Sequence, residues 1–412
     1  MRDIYQDLIQ ISDQESIELN NRYGAHNYHP LPVVLERGEG IYAWDVNGKR
    51  YFDFLSAYSA LNQGHNHPAI VKTLTDQVSK LSLTSRAFYN SSLGEYEKYV
   101  TQLFGYDKVL PMNTGAEGVE TAIKLCRRWG YDKKGIAMNE AKVIVCEGNF
   151  HGRTLAAVSI SSDPESYGGF GPYVPGFVKI PYNNVPALHE ALKDGNVAGF
   201  LVEPVQGEAG VIVPDAGYLK ACAEACREKN VLFIADEIQS GLGRTGRMLA
   251  CDHEQVRPDI LILGKALSGG LLPVSAVLAD DDIMLCIGAG QHGSTYGGSP
   301  LAAQVAITAL QVLVDEKLSE NSARLGKILL EELQGIRHEM IRLVRGKGLF
   351  CAMVINEYKG KDAWDLCLAL MENGLLAKPT HGDIIRFAPP LIISEEQLRE
   401  CIGIIKKTID GF

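Results

Sequence analysis

Five nearly continuous apolar runs occupy the middle of the chain. Starting at residues 142, 198, 230, 259 and 273, they read KVIVCEGNF, AGFLVEP, NVLFIADE, DILILGKA and PVSAVLAD. Uninterrupted rather than alternating hydrophobicity is typical of strands that are covered on both faces. Between two of the runs, GYLKACAEACREKN has the periodicity of an amphipathic crossover helix. These features predict an α/β fold in which helices sandwich a mostly parallel sheet.

The pattern changes on both sides of this sheet. The first 64 residues include a predicted hairpin, GIYAWDVNGKRYFDF, with its turn at Asn47-Gly48. After about residue 301, helical segments alternate with strand candidates such as GLFCAMVI and IIRFAPPL. We expect an N-terminal segment at 1–64 that packs with a small domain, a large domain at 65–304, and that small α+β domain at 305–412.

Charge and composition argue against several classes of protein. The 50 acidic and 40 basic residues of this 412-residue chain are interspersed, without the basic stripe that binds nucleic acid. No apolar stretch has the length needed to span a membrane. The nine cysteines lack metal-ligand spacing, and acids at Asp3 and Asp7 are atypical of a targeting peptide. We therefore expect a cytoplasmic protein with reduced thiols.

Lys265 directly follows the apolar run DILIL. Burying an unpaired ammonium is costly, so this lysine must be solvated, paired or chemically used. Three interpretations fit the stretch alone: a lysine that reaches water from the strand end, a phosphate contact, or an amine nucleophile that forms an imine.

Other polar groups follow neighbouring strands. Asp236 ends the preceding apolar run, and a strand-helix-strand unit is expected to bring it to the same sheet edge as Lys265. The stretch EGNFHGRT adds Phe150, His151 and Arg153, which suit ring stacking and carboxylate binding.

A phosphate seat is predicted where MNTGAEGVETAIKL enters a helix. Backbone N–H groups at Gly115 and Ala116 would point at an anion there. The simpler alternative is an ordinary capped helix start, because Thr114 and Glu117 have capping-box spacing. One cofactor, pyridoxal 5'-phosphate, requires all of these groups together: a phosphate-binding site, an acid for the ring nitrogen, a stacking residue and a lysine that forms an imine.

Along nearly its whole length the sequence resembles the class III pyridoxal-phosphate aminotransferases of fold type I. The resemblance is strongest to the members that act on ornithine. It is carried by stretches such as LTSRAFYN, LPMNTGAE, VEPVQGEAGV, FIADEIQSGLGRTGR, LGKALSGGLLPVSAVL, HGSTYGGSP and GLLAKPTHGDIIRFAPPL.

For the cofactor, the resemblance implies that Lys265 is the Schiff-base lysine and Asp236 the partner of the pyridinium nitrogen. His151 is a departure, since the ornithine-specific members often have Trp there and relatives that act on other amines share the form FHGR. The other implied cofactor-binding residues are Gly115 and Ala116 for the phosphate, Phe150 for stacking, Gln239 for the ring hydroxyl, and Ser294 and Thr295. Thr295 resembles a phosphate ligand supplied by the neighbouring subunit, which implies a homodimer.

The implied substrates are L-ornithine and 2-oxoglutarate, with glutamate as the product of the second. Arg386 would bind the carboxylate near the reacting carbon and Arg153 the distant one. Ornithine offers only methylene at the near position, so Glu208 would pair with Arg386 and swing away when glutamate arrives. Tyr28 and Tyr58 would contact the α-amino end of ornithine.

Each of these residues has a simpler interpretation. Tyr58 can be a core residue, Glu208 a surface acid in a glycine-rich turn, and Arg386 a partner of Glu203 or Asp383. His65 and His67 suggest metal ligands, but no further group of suitable spacing joins them, so a hydrogen-bonded turn is favoured.

Three rival functions remain open. The same chemistry can act on N-acetylornithine, 4-aminobutyrate or lysine, although Tyr28 and Tyr58 favour a free α-amino group. An aldolase-type imine enzyme would use Lys265 without the cofactor. A non-catalytic binding protein would not require Lys265, Asp236 and Arg153 together.

Overall fold

The structure is a computed structural model that describes residues 12–412; Asp3 and Asp7, noted above, lie outside the described residues. The strands are β1 Leu35–Glu39, β2 Tyr42–Asp45, β3 Arg50–Asp53, β4 Lys108–Met112, β5 Lys142–Cys146, β6 Phe177–Ile180, β7 Val197–Val202, β8 Leu232–Asp236, β9 Ile260–Leu263, β10 Ser275–Ala279, β11 Ile341–Gly346, β12 Cys351–Ile355, β13 Leu375–Leu376, β14 Lys378–Thr380 and β15 Ile384–Phe387. The helices are α1 Asp13–Tyr23, α2 Ser56–Ser59, α3 Pro68–Lys80, α4 Leu93–Phe104, α5 Gly115–Asp132, α6 Leu155–Ile160, α7 Pro164–Tyr167, α8 Val185–Ala191, α9 Tyr218–Glu228, α10 Asp281–Met284, α11 Pro300–Asp315, α12 Leu318–Gln334, α13 Ala363–Glu372 and α14 Glu395–Asp410.

A seven-stranded sheet forms the centre of the molecule, in the order β4-β10-β9-β8-β7-β5-β6. Only β10 runs antiparallel to its neighbours. All five apolar runs are strands of this sheet, namely β5, β7, β8, β9 and β10. The predicted α/β fold with a mostly parallel sheet is therefore confirmed.

Helices cover both faces of the sheet, which explains why its strands are continuously apolar. In β5, Val143 and Val145 pack into a core cluster with residues of α5. The alternate residues Ile144 and Cys146 pack with residues of α8 and α9 on the other face. Because successive side chains of a strand point to opposite faces, every position must be apolar when both faces are buried.

The connection from β8 to β9 differs from the prediction. A strand-helix-strand unit was expected, but residues 237–259 form a loop whose regular element is a short 3-10 turn, Ala250–Glu254. Gly241, Gly243 and Gly246 fall within six residues there and disfavour a helix. The two strands are nonetheless parallel neighbours, so their carboxyl ends meet at one edge.

Two smaller sheets complete the fold. The predicted hairpin is β2 and β3, within the order β1-β2-β3-β13. Its last strand comes from the C-terminal part of the chain and pairs with β3 through Leu375 and Phe52. The third sheet has the order β11-β12-β15-β14 and includes both predicted C-terminal strands, β12 and β15. N-terminal and C-terminal residues thus share one sheet.

A buried arginine in the loop after β8 hydrogen-bonds to segments from the N-terminal and the C-terminal parts of the chain. Arg244 has no solvent exposure. Its Nη1 donates to the carbonyl oxygens of Leu349 at 2.8 Å and Pro389 at 2.6 Å, and its Nη2 donates to Asn62 Oδ1 at 2.5 Å. Burial lowers the pKa of Arg244 to about 9, so the guanidinium stays charged at neutral pH. These bonds fix three distant segments relative to the sheet.

Replacing Arg244 should destabilise the protein strongly. Arg244→Met leaves buried acceptors unsatisfied, at about 1–3 kcal/mol each, so we expect the free energy of unfolding to fall by about 3 kcal/mol or more. Urea unfolding followed by circular dichroism measures this. The exposed Arg247→Met is the matched control, with an expected change within about 0.5 kcal/mol. Equal stability of the two variants would contradict the linking role.

Candidate active site

A cavity of 270 Å³ lies at the carboxyl ends of the central strands, where open α/β sheets bind ligands. Several polar groups converge on it from separate strand ends, although their sequence positions are far apart. Seven of the predicted site residues line it: Gly115, Ala116, Phe150, His151, Asp236, Gln239 and Lys265.

Lys265 stands at the cavity wall two residues after β9 ends. Its backbone has φ 44°, a left-handed conformation that is strained for a residue with a side chain. Burial lowers the pKa of the Lys265 amine, and Glu208, Asp236 and Glu203 oppose that shift only in part. The amine therefore has more of its nucleophilic, unprotonated form than an exposed lysine.

Asp236 ends β8 and forms a buried pair with His151. His151 Nδ1 lies 2.7 Å from Asp236 Oδ2, and both residues are almost fully buried. Burial lowers the pKa of His151, but the hydrogen bond and charge of Asp236 outweigh it, so the net shift is upward. His151 Nε2 is buried without a partner among the described residues. The imidazole of His151 thus orients the Asp236 carboxylate at the cavity.

Glu203 is a cavity residue that sequence reasoning did not assign to the site. Its carboxylate accepts from the backbone N–H of Phe150 at 2.8 Å and of Gly207 at 3.3 Å. Burial raises the pKa of Glu203 to about 7, with His151 lowering it and Asp236 raising it further. Its position directly after β7, comparable to that of Asp236 at the end of β8, was the available signal.

The start of α5 faces the cavity with free donors. Thr114 and Glu117 form the capping box, in which Thr114 Oγ1 accepts from Glu117 N at 3.2 Å. The N–H groups of Gly115 and Ala116 donate to no group within residues 12–412. Gly152, with φ 120°, lets the neighbouring loop approach, since a Cβ there would lie 2.7 Å from the Ala116 Cβ. The two interpretations are therefore compatible, since the start of α5 is capped and can also bind an anion.

Phe150 contributes an aromatic ring to the cavity wall. The Glu203 contact to its backbone fixes the segment that carries it. The Cζ atom of Arg153 lies 5.5 Å from the centroid of the Phe150 ring. Arg153 itself is exposed and does not line the cavity.

Beside the cavity, Glu208 and Arg386 form an ion pair, with Oε1 and Nη1 2.5 Å apart. Arg386 therefore pairs with Glu208, whereas Asp383 pairs with Arg342. Burial would raise the pKa of Glu208, but Arg386 outweighs it and the pKa is lowered. The carboxylate is ionised at neutral pH and neutralises the buried guanidinium.

Gln239 connects this ion pair to the cavity. Its Nε2 donates to Glu208 Oε1 at 3.1 Å and to the Tyr58 carbonyl at 3.2 Å. A Cβ at Gly207 would lie 1.7 Å from Gln239 Oε1, so a larger residue there would displace the Gln239 side chain. The Tyr58 ring is half-buried, with its centroid 5.2 Å from the Arg386 Cζ.

The backbone that presents Tyr58 is strained. All four residues of α2, Ser56–Ser59, have positive φ, so α2 is a left-handed turn. That conformation costs roughly 1–2 kcal/mol for each residue with a side chain. Such strain concentrates at functional sites, and here it directs Tyr58 towards Arg386 and Gln239.

Three other predicted residues lie outside the cavity lining. Tyr28 is 70% exposed, and the Lys378 ammonium lies 5.9 Å from the centroid of its ring. Ser294 accepts a hydrogen bond from Asn113 Nδ2 at 2.7 Å, one residue before the cap of α5. Thr295 is exposed. A single chain therefore brings neither Tyr28 nor Thr295 to the cavity wall.

The histidines His65 and His67 each have a carboxylate partner. His65 Nε2 lies 2.8 Å from Asp53, and His67 Nε2 lies 2.9 Å from Glu316. Within residues 12–412 no group of three or more metal-ligating side chains is assembled. The same range includes no helix with the length and hydropathy to cross a bilayer.

Residues 23–409 match the family model described as aminotransferase class-III. The protein named ornithine aminotransferase, mitochondrial, from Rattus norvegicus is 64% identical over 401 residues, or 97% of this chain and 91% of its own. The protein of the same name from Drosophila melanogaster is 66% identical over 389 residues, covering 94% and 90%. The chain belongs to the class-III aminotransferases, as its sequence predicted.

Solved structures agree with this assignment. The ornithine aminotransferase from Toxoplasma gondii has a TM-score of 0.97 at 47% identity, covering 99% of this chain and 97% of that one. The acetylornithine aminotransferase from Elizabethkingia anophelis has a TM-score of 0.90 at 58% identity, covering 98% and 100%. Class-III aminotransferases depend on pyridoxal phosphate, and this chain is a pyridoxal-phosphate-dependent aminotransferase.

The cavity fits that cofactor. It offers a buried amine, a carboxylate oriented by His151, an aromatic wall, and two N–H groups at a helix start that have no partner among the described residues. These are the donor and acceptor types that an aldehyde, a pyridine nitrogen, a ring face and a phosphate require.

The pKa of His151 is a direct test of the buried pair. We expect NMR titration of the purified protein to give a midpoint above 6.5, with the resonance assigned by its loss in His151→Gln. Protonated His151 should therefore stabilise the fold below pH 6.5, and this contribution should fade as the pH rises through the raised pKa. In Asp236→Asn the midpoint should fall, because only the charge of Glu203 then opposes the effect of burial. An unchanged midpoint in that variant would contradict the pairing.

Proposed function

We propose that this enzyme transfers the terminal amino group of L-ornithine to 2-oxoglutarate, giving glutamate 5-semialdehyde and glutamate. The observation that carries the proposal is the Glu208–Arg386 ion pair beside a cavity that holds Lys265 and Asp236. The names of the rat, fly and Toxoplasma relatives support the same substrate.

Cofactor binding is assigned residue by residue as part of this proposal. Lys265 would hold the cofactor through its amine, and Asp236 would bind the ring nitrogen. Gly115 and Ala116 would donate to the phosphate, Phe150 would stack on the ring, and Gln239 would reach the ring hydroxyl. When bound, pyridoxal phosphate supplies an aldehyde that takes up amino groups and a ring that withdraws electrons from the substrate carbon.

Lys265 and Asp236 have different tasks in proton transfer. With its lowered pKa, the Lys265 amine can take a proton from the substrate carbon and deliver it to the neighbouring carbon of the cofactor. The Asp236 carboxylate holds a proton on the ring nitrogen by its opposite charge. His151 keeps that carboxylate oriented through a contact of 2.7 Å. Glu203 keeps the Phe150 segment in position.

The Glu208–Arg386 pair would allow one site to accept two substrates of different shape. Glutamate places a carboxylate beside its reacting carbon, where Arg386 would bind it. Ornithine places methylene there, and a buried guanidinium left unpaired would cost roughly 3–5 kcal/mol. Glu208 would remove that cost by neutralising Arg386 during the ornithine half-reaction and by turning away in the other.

Recognition of the far end of the substrate is assigned to three residues. Arg153 is exposed next to the Phe150 ring and would bind the distant carboxylate. Tyr58 faces Arg386, and Tyr28 lies on the exposed surface near Lys378. The two tyrosines would contact the α-amino group of ornithine, which 4-aminobutyrate lacks and acetylation masks.

A homodimer with shared active sites is the proposed functional unit. Thr295 would bind the phosphate in the neighbouring subunit, and Ser294 would hold its segment on the start of α5. Support comes from three exposed aromatic side chains, since Tyr296 is 62%, Phe88 73% and Tyr89 105% exposed. Exposed apolar groups of this size are typical of protein interfaces.

Domain division and cellular compartment are also proposals. We retain the boundaries 1–64, 65–304 and 305–412, supported by the three separate sheets. All nine cysteines are buried and free, which supports a reducing compartment such as the cytoplasm. The rat and fly relatives are named as mitochondrial, so fractionation of cells with an antibody to this protein is the test.

L-ornithine alone should convert the bound cofactor. Without a keto acid, we expect the visible absorption of the cofactor to be replaced by that of pyridoxamine phosphate. Lys265→Ala should lose turnover while its circular dichroism and melting temperature stay near those of the parent. Full activity in Lys265→Ala would refute the mechanism.

A second candidate substrate is N-acetylornithine, favoured by the name of the Elizabethkingia relative and by His151 in the FHGR stretch. The same spectral titration with N-acetylornithine and 4-aminobutyrate separates the candidates. If the cofactor spectrum does not change with ornithine but changes with one of these amines, that amine is the substrate and the proposed chemistry stands.

Glu208→Ala should impair the two half-reactions unequally. With Arg386 left unpaired, we expect kcat/KM for ornithine to fall by about a hundredfold or more, and that for glutamate to stay within about tenfold. Single-turnover kinetics of each half-reaction measure this. Glu147→Ala, which removes an exposed acid after β5, is the control and should change neither. Equal losses for both substrates would eliminate the switch.

A further inference from the structure

The segment Gly288–Gly298, between α10 and α11, lies along α5 and carries Thr295. Two side chains fasten it there. Ser294 Oγ accepts from Asn113 Nδ2, and the His292 ring hydrogen-bonds to two residues of α5. His292 Nε2 lies 2.8 Å from Thr121 Oγ1, and His292 Nδ1 lies 2.8 Å from Lys124 Nζ.

The hydrogen-bond partners determine where the proton of His292 resides. Thr121 Oγ1 donates its only hydrogen to the Glu117 carbonyl at 2.7 Å, so it must accept from His292 Nε2. Lys124 has only donors, so His292 Nδ1 must accept. Both contacts therefore require a neutral ring with its hydrogen on Nε2.

Charged groups around His292 favour this neutral form. Burial lowers the pKa of His292, Lys124 lowers it further, and Glu117 opposes both. The carboxylate of Glu117 is already engaged by the backbone N–H groups of Asn113 and Thr114. Within its own segment, Tyr296 is the other titratable residue. A second proton on His292 would point an N–H at the Lys124 ammonium.

We propose that neutral His292 is a positioning residue, which fastens the segment 288–298 to α5 and thereby holds Thr295 where the partner subunit's cofactor phosphate needs it. The inference rests on the proposed role of Thr295. Protonation of His292 breaks the contact to Lys124 and loosens the segment. Cofactor affinity then falls on the acid side because the phosphate ligand is no longer held.

Three variants test this in the dimeric holoenzyme. His292→Ala removes both contacts, and we expect the dissociation constant of pyridoxal phosphate to rise about tenfold at pH 8, as the loss of one or two hydrogen bonds predicts. His292→Gln can donate to Thr121 and accept from Lys124 without titrating. It should bind the cofactor near the parent level at about pH 8 and lack the acid-side loss towards about pH 5.5. Lys124→Met should weaken binding less than His292→Ala.

Two readouts are needed. Equilibrium dialysis over this pH range gives the dissociation constants, and hydrogen-deuterium exchange reports on the segment itself. Peptides that cover residues 288–298 should exchange faster in His292→Ala. The exposed histidine of α8 supplies the control, His189→Ala, which should change neither measurement.

The outcomes separate this inference from the proposed role of Thr295. Suppose that the segment exchanges faster in His292→Ala, but that cofactor affinity is unchanged in both His292→Ala and Thr295→Ala. His292 would then hold the segment on α5, but its proposed effect on cofactor binding and the phosphate-binding role of Thr295 would both be overturned. Weaker affinity in Thr295→Ala alone, with parent-like exchange and affinity in His292→Ala, would overturn only the His292 proposal. Retention of the full acid-side loss in His292→Gln would also overturn it.

Discussion

The buried guanidinium of Arg244 is the interaction on which the arrangement of the site depends. Parallel strands bring Asp236 and Lys265 to one edge by themselves, but Arg386 and Tyr58 belong to other sheets and turns. Arg244 hydrogen-bonds to Asn62, close to Tyr58 in the chain, and to Pro389, close to Arg386. Its planar guanidinium carries five N–H donors in a fixed geometry, so this one side chain can satisfy acceptors from separate segments at once.

Within the site, most buried charged groups are paired with groups of opposite charge. His151 pairs with Asp236, and Arg386 pairs with Glu208. The third buried carboxylate, Glu203, accepts from two backbone N–H groups instead, and burial raises its pKa to about 7. The Lys265 amine has no such close partner among the described residues, and its pKa is lowered by burial. The cavity amine left without a neutralising partner is thus the group whose proposed role requires an unprotonated form.

The site residues at strand ends could be predicted from the sequence. Asp236, Lys265 and the start of α5 each follow an apolar run or begin an amphipathic one, and the topology of parallel strands dictates that such points converge. Glu203 had the same signal and was missed, because a single acid after a strand is ordinarily a surface group. The helix expected between β8 and β9 was wrong, since the glycines of that loop serve tertiary contacts instead.

The sequence by itself determined the sheet, its two-sided burial and the chemical types of the cavity residues, because these follow from local periodicity and from residues adjacent to strands. Only the tertiary structure decided that Arg386 pairs with Glu208 rather than with Glu203 or Asp383. It also decided that His151 pairs with Asp236, and that His292 hydrogen-bonds to both Thr121 and Lys124. Such pairings join residues distant in the chain, and no periodicity records which of several possible partners comes within reach.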